Sequence, residues 1–184
     1  INVTELSQQI TEHLNRVFNL EICTNIDDMS PDKLLLLEQN TTGFIRQGQC
    51  KIIDNLRSQA FDGREQLEAI RKFLSDTIRA NEKTSKTDTL YVKIHETAKT
   101  DPNLQTTQRR AKLLESAISK IIKNPSLKQV EDIKYIDTEG NEKTFVLPLH
   151  DFEYKNCGNS KTTIIITSPT ILSLCSGLQT AKDK

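Results

Sequence analysis

Residues 130–147, VEDIKYIDTEGNEKTFVL, decide the fold class. Val130–Asp137 and Lys143–Leu147 are strand-like runs on either side of Thr138-Glu139-Gly140-Asn141, where Gly and Asn supply the turn. This spacing predicts a β-hairpin. Downstream, the β-branched run Thr162–Thr167 predicts a further strand that Pro169 stops. Ile171–Leu178 is short and apolar, and fits either a helical turn or a last strand.

Upstream the period changes from two to about three and a half. Val3, Leu6, Ile10, Leu14, Val17 and Phe18 share one face of a first helix. Ser30-Pro31-Asp32 is a helix start, with a capping Ser, Pro at the first helical position and an acid at the positive end. Leu34–Leu37, Ile45, Ile52, Ile53 and Leu56 continue it to about residue 60, with a break expected at Asn40-Thr41-Thr42-Gly43. Leu67, Ile70, Phe73, Leu74 and Ile78 predict a third helix over 63–81. Residues 89–98 fit a strand through Leu90, Val92 and Ile94, or a helix through Leu90, Tyr91, Ile94 and Ala98; the reading taken is a helix capped by Asp88. Asp101-Pro102 opens a helix over 102–123 that Asn124-Pro125 ends.

Helices followed by a small antiparallel sheet define an α+β fold. The expectation is a single domain over 1–184, mostly helical over 1–124, packed against a sheet part over 126–184. A lone hairpin is marginal in water, so the sheet needs the helices to cover it.

The 25 basic and 25 acidic residues cancel, and this balance argues against nucleic acid as the main partner. No apolar run approaches the length of a membrane span. The six glycines are scattered and form no phosphate loop, so no nucleotide cofactor is expected, and no histidine–cysteine spacing points to a metal.

Four cysteines fall into two couples, Cys23 with Cys50 and Cys157 with Cys175. An even count without metal spacing predicts two disulfides and an exported, secreted or periplasmic protein. A start at Ile1 with Met29 as the one methionine fits a removed leader, and Asn2-Val-Thr and Asn40-Thr-Thr match the glycosylation sequon. Pairing within the couples constrains the helices. On one straight helix over 31–60, Cys50 stands roughly 28 Å from the start, where Cys23 would lie. A disulfide needs Cα atoms within about 7 Å. The helix therefore breaks near Gly43, or residues 21–30 run back along it, or the pairing crosses between the couples.

His150-Asp151, after Leu147-Pro148-Leu149, is the one histidine–acid pair at a strand end, a weak candidate for hydrolytic chemistry. The order Cys50 then His150 resembles that of papain-like cysteine proteases, but the residues flanking the cysteine and the spacing of Gln47 and Gln49 do not match that family. His13 and His95 have no second ligand at helical spacing. Acidic pairs at Asp27-Asp28, Glu131-Asp132 and Asp151/Glu153 lack the aromatic platforms of a sugar cleft, since the chain has no Trp.

Charge is uneven along the chain. Arg109, Arg110, Lys112 and Lys120, with Lys123 and Lys128, face Glu115 alone, while the first forty residues are acidic. The expectation is a binding module, such as an effector, an adhesin-like domain or an inhibitor, whose basic helix meets a protein or an anionic surface component. A secreted hydrolase around His150 is the alternative.

Overall fold

A computed structural model describes residues 2–24, 43–82, 91–97, 100–158, 160 and 162–182. The expected helix start at Ser30, the break at 40–42 and the Asp88 cap lie outside the described residues. The chain divides into two compact units, Ile1–Phe61 and Asp62–Lys184.

In the first unit, helix α1 spans Val3–Val17 and α2 spans Leu20–Thr24. Asn2 caps α1 by accepting the Glu5 amide on Oδ1. The far end of α1 is held by residues 44–46. Phe18 and Ile45 form an antiparallel bridge, Arg46 N–H donates to Val17 O at 2.8 Å, and Arg46 Nε donates to Asn15 O at 2.7 Å. A guanidinium on the last carbonyls of a helix satisfies groups that have no partner within the helix, and its charge suits the negative end of the dipole. Arg57 donates in turn to Ile45 O at 2.9 Å, and a Cβ at Gly43 would collide with its guanidinium. Residues 43–50 are therefore not helical, contrary to the helix expected over 31–60.

Helix α3 is continuous from Lys51 to Asn81, where two helices divided near residues 60–63 were expected. Gly63 lies inside it. A Cβ there would meet only the Leu178 side chain at ordinary contact distance, so this glycine marks no break. In the second unit α3 buries Leu67, Ile70, Leu74 and Ile78 completely, the i, i+3, i+7, i+11 stripe read from the sequence.

Residues 93–107 overturn the helical reading of that stretch. β1 (Lys93–Thr97) and β2 (Thr100–Thr107) are an antiparallel pair. With β5 (Glu153–Asn156) and β6 (Thr163–Thr167) they form a four-stranded antiparallel sheet ordered β1-β2-β6-β5. Pro102, read as a helix opener, is buried in β2. It sits where a missing N–H costs least: the β6 ladder starts only at Leu104, and the β1 register shifts between His95 and Thr97. One face of this sheet carries Leu104, Thr106, Ile164 and Ile166, all buried. The other carries Lys93, His95, Asn103, Gln105 and Lys155, none of them buried. Helices α4 (Gln108–Ile122) and α5 (Pro169–Lys182) pack on β2, and α4 also on β6. α5 buries Ile171, Cys175 and Leu178, which settles 171–178 as helix.

The hairpin is as expected: β3 (Val130–Ile136) pairs with β4 (Glu142–Pro148) in a separate two-stranded sheet. Its turn is organised by Asp137. Oδ1 accepts the amides of Glu139 and Asn141 at 2.9 and 2.8 Å, and Oδ2 lies 2.7 Å from Lys143 Nζ. Gly140 closes the turn at φ +82, a left-handed conformation that suits glycine. Lys143, then the Asn141 amide, pulls the Asp137 carboxyl down to about 2 from its ordinary value. A depressed carboxylate stabilises the fold above its unfolded pKa of about 4, and that contribution disappears as pH falls toward the folded value. Asp137→Ala is thus expected to lower the urea midpoint at pH 6, with the gap from wild type closing between pH 4 and pH 2. A gap independent of pH would show that the carboxylate charge is not what holds the turn.

The fold is α+β, but it contains no disulfide. Cys23, Cys50, Cys157 and Cys175 are all free thiols, with no pair of sulfurs at bonding distance. Cys157 Sγ accepts from Gln105 Nε2 at 3.7 Å, and Gln105 stands on the open face of the sheet, alternating with buried Leu104 and Thr106. Cys175 is instead in the buried stripe of α5. Neighbours in sequence are here not neighbours in space.

Candidate functional site

Helix α4 carries the basic cluster read from the sequence, and the fold splits that cluster in two. Ala111, Leu114, Ala117 and Ile118 are its buried stripe. At 100° per residue, Arg109, Lys112, Ser116, Lys120 and Lys123 fall on the opposite side, a row of about 21 Å. All five are exposed. Among the described residues, Lys112, Lys120 and Lys123 have no acidic partner, and Glu115 is the one acid on this helix.

Arg110 leaves this row. It falls on the buried side of α4, and its guanidinium lies 4.4 Å from the centre of the Tyr91 ring, with that of Arg79 at 5.6 Å. Tyr91 is buried, and its hydroxyl has no hydrogen-bond partner among the described residues. The ring is fixed from both sides of the chain. Val92 N–H donates to Ser75 Oγ on α3 at 3.2 Å, and Thr106 Oγ1 donates to Tyr91 O at 2.6 Å. Two cations on one desolvated ring favour a cation–π arrangement. Arg109 bridges to Glu82 at 3.3 Å, where the carboxylate is buried and the guanidinium exposed. The first turn of α4 itself holds no acid and Thr107 gives no side-chain cap, so the helix dipole adds to the charge of Arg110, while Glu82 offsets Arg109.

The sequence reading did not single out Arg79, and it placed Tyr91 only in an apolar helical pattern with Leu90, Ile94 and Ala98. They come from the end of α3 and the segment before β1, so no local spacing links them to Arg110.

His150 lies in the turn after β4, with Nε2 3.2 Å from Asp151 Oδ1 and both side chains partly in solvent. Among the described residues no other side chain pairs with His150. Cys50 immediately precedes α3 in the first unit, whereas His150 belongs to the second. His95 is exposed on β1, and its neighbour Glu96 pairs with Arg64. Among the described residues no cluster of three or more histidines, cysteines and acids could hold a metal ion, and no helix is long and apolar enough to cross a membrane. The Tyr154 phenol is pushed far above its ordinary value, first by burial and then by the charge of Glu115, so it stays protonated at any physiological pH.

No protein-family model matches the chain, and no curated protein matches it in sequence.

Proposed function

We propose that this chain is a binding module that meets an anionic protein or surface component through the outward face of α4. The observation that supports this reading is the row Lys112, Lys120 and Lys123, exposed on one side of a packed helix and without an acidic partner among the described residues. Lysines held on a rigid helix attract acidic groups over distances of about one Debye length, and they keep their long stems free to adapt. Arg110 contributes indirectly, because its stacking on Tyr91 fixes the first turn from which Arg109 and Lys112 project.

Export was expected from paired cysteines, and free thiols remove that support. Binding through α4 requires no particular compartment. The hydrolase alternative rests on one exposed histidine–aspartate pair.

Retention on immobilised poly-glutamate and on heparin at 50 mM salt tests the reading. Lys112→Gln/Lys120→Gln/Lys123→Gln removes three exposed cations, each worth about 0.5 kcal/mol in such a contact. Affinity is expected to fall roughly tenfold. Equal retention of variant and wild type would remove α4 as the binding face.

A further inference from the structure

The outer edge of β3 carries its own complement. Asp137 N–H donates to Asn141 O at one end of the β3–β4 ladder and Leu149 N–H to Gln129 O at the other, both at 3.0 Å. Between them the register runs without a bulge, so Glu131, Ile133 and Tyr135 turn their backbone groups toward β4. Val130, Asp132, Lys134 and Ile136 turn theirs outward, and among the described residues no strand pairs with that edge. Their side chains share one face. The Asp132 side chain is 54% exposed, that of Lys134 66%, and Ile136 is 47% exposed. The other strand edges are short or interrupted. β1 shifts register between His95 and Thr97, β5 has four residues, and Pro148 has no N–H to offer at an outward position of β4. β3 is seven residues long, regular and free of proline.

We propose that β3 pairs with β3 of a second copy of this chain, antiparallel across a two-fold axis through Ile133, so that the two hairpins join edge to edge in one sheet. Outward backbone groups must meet outward groups, and this register brings them together. Val130 exchanges both backbone bonds with the partner's Ile136, and Asp132 exchanges both with the partner's Lys134. Charge selects the occupant. Side chains directly opposite on one face interact, and like charges there repel. With the axis through Ile133, each Asp132 faces the partner's Lys134, and each Val130 faces the partner's Ile136. Moving the axis to residue 132 sets Asp132 against the partner's Asp132. Moving it to residue 134 sets Lys134 against the partner's Lys134. The run VEDIKYI thus disfavours the neighbouring registers and favours the one between them.

Ion pairs within one chain extend the pattern. Lys128 lies 3.4 Å from Asp132, and Lys134 lies 2.7 Å from Glu142. Across the edge the order becomes Lys128, Asp132, the partner's Lys134 and the partner's Glu142, alternating in sign, and the axis repeats the row. A lysine on a strand edge ordinarily discourages another strand from adding there. A second copy of β3 brings an aspartate to that lysine, whereas an arbitrary strand does not. The contact is one strand per copy, short of the roughly 800 Å² per partner of a standard interface, so the dimer is expected to form at about 10–100 μM. It uses the hairpin and is independent of the binding proposed for α4.

Sedimentation equilibrium of the full chain from 1 to 500 μM tests it. The weight-average mass is expected to rise from monomer toward dimer across this range. Asp132→Lys sets lysine against lysine, and Lys134→Asp sets aspartate against aspartate, so each variant alone is expected to stay monomeric. Both substitutions are at exposed positions, and the far-UV circular dichroism of each should match wild type. An equimolar mixture of the two variants restores opposite charges at every facing position and is expected to dimerise about as well as wild type. Misfolding of either variant cannot produce that recovery. Lys155→Gln, on the edge strand of the larger sheet, should leave the wild-type mass curve unchanged. A wild type that stays monomeric at 500 μM overturns the proposal. So does either charge variant dimerising alone as wild type does, and so does a mixture of the two folded variants that stays monomeric.

Discussion

Denatured without reductant, the protein is expected to titrate with four thiols per chain, where two disulfides would give none. The structure supplies the reason and a second, kinetic signature. Cys175 lies in the buried stripe of α5, 4% exposed. Burial, with the nearby charge of Asp101 adding, pushes its thiol up to about 11. At pH 8 only about one in a thousand of such thiols is ionised, against roughly a quarter for an ordinary cysteine. Ionisation alone slows alkylation of native Cys175 roughly two-hundredfold, and burial slows it further. Cys23, Cys50 and Cys157 are half-buried, so they have better access. Native protein treated with a thiol reagent at pH 8 should thus show three faster reactions and one slow one. A count of zero or two in denaturant would restore cysteine pairing, and a bond that included Cys175 would invalidate the packing described around α5.

The cysteine case shows where local sequence stops being informative. Spacing told which cysteines were close along the chain, but bonding distance depends on which face of which element each occupies. Where the determinants were local, the sequence reading held. The 130–147 hairpin was legible because Asp137, Gly140 and Asn141 build its turn from within the loop. The Thr163–Thr167 strand was legible because β-branched residues have few alternatives. It failed at 93–107, where two local patterns were nearly balanced and pairing with β6 decided between them. Asp101-Pro102 then misled in a specific way. A proline suits the first turn of a helix, and it equally suits a strand position whose N–H faces no partner. Only the register of β1 and β6 distinguishes the two. The basic cluster was legible as composition but not as geometry. Arg110 is a neighbour of Arg109 in sequence, yet it turns inward onto a ring contributed from another part of the chain.

Two helical stripes that look alike in sequence should differ severalfold in what they contribute to stability. Val3-Leu6-Ile10-Leu14 on α1 and Leu67-Ile70-Leu74-Ile78 on α3 have the same period and similar residues. The first is largely in solvent, whereas all four members of the second are at 0% exposure. Leu74→Ala deletes buried methyl groups and leaves a cavity that neighbours on a long rigid helix cannot close, so it should cost about 2–5 kcal/mol. That is a large part of a typical folding stability of about 5–15 kcal/mol. In urea the midpoint should fall by roughly 1–2 M. Leu6→Ala removes a side chain that is half in water and should change stability by no more than about 0.5 kcal/mol. The contrast matters more than either value. Comparable losses at the two sites would mean that the α1 stripe is covered in the folded chain. A loss confined to Leu74 would show that the α1 stripe contributes little to folding.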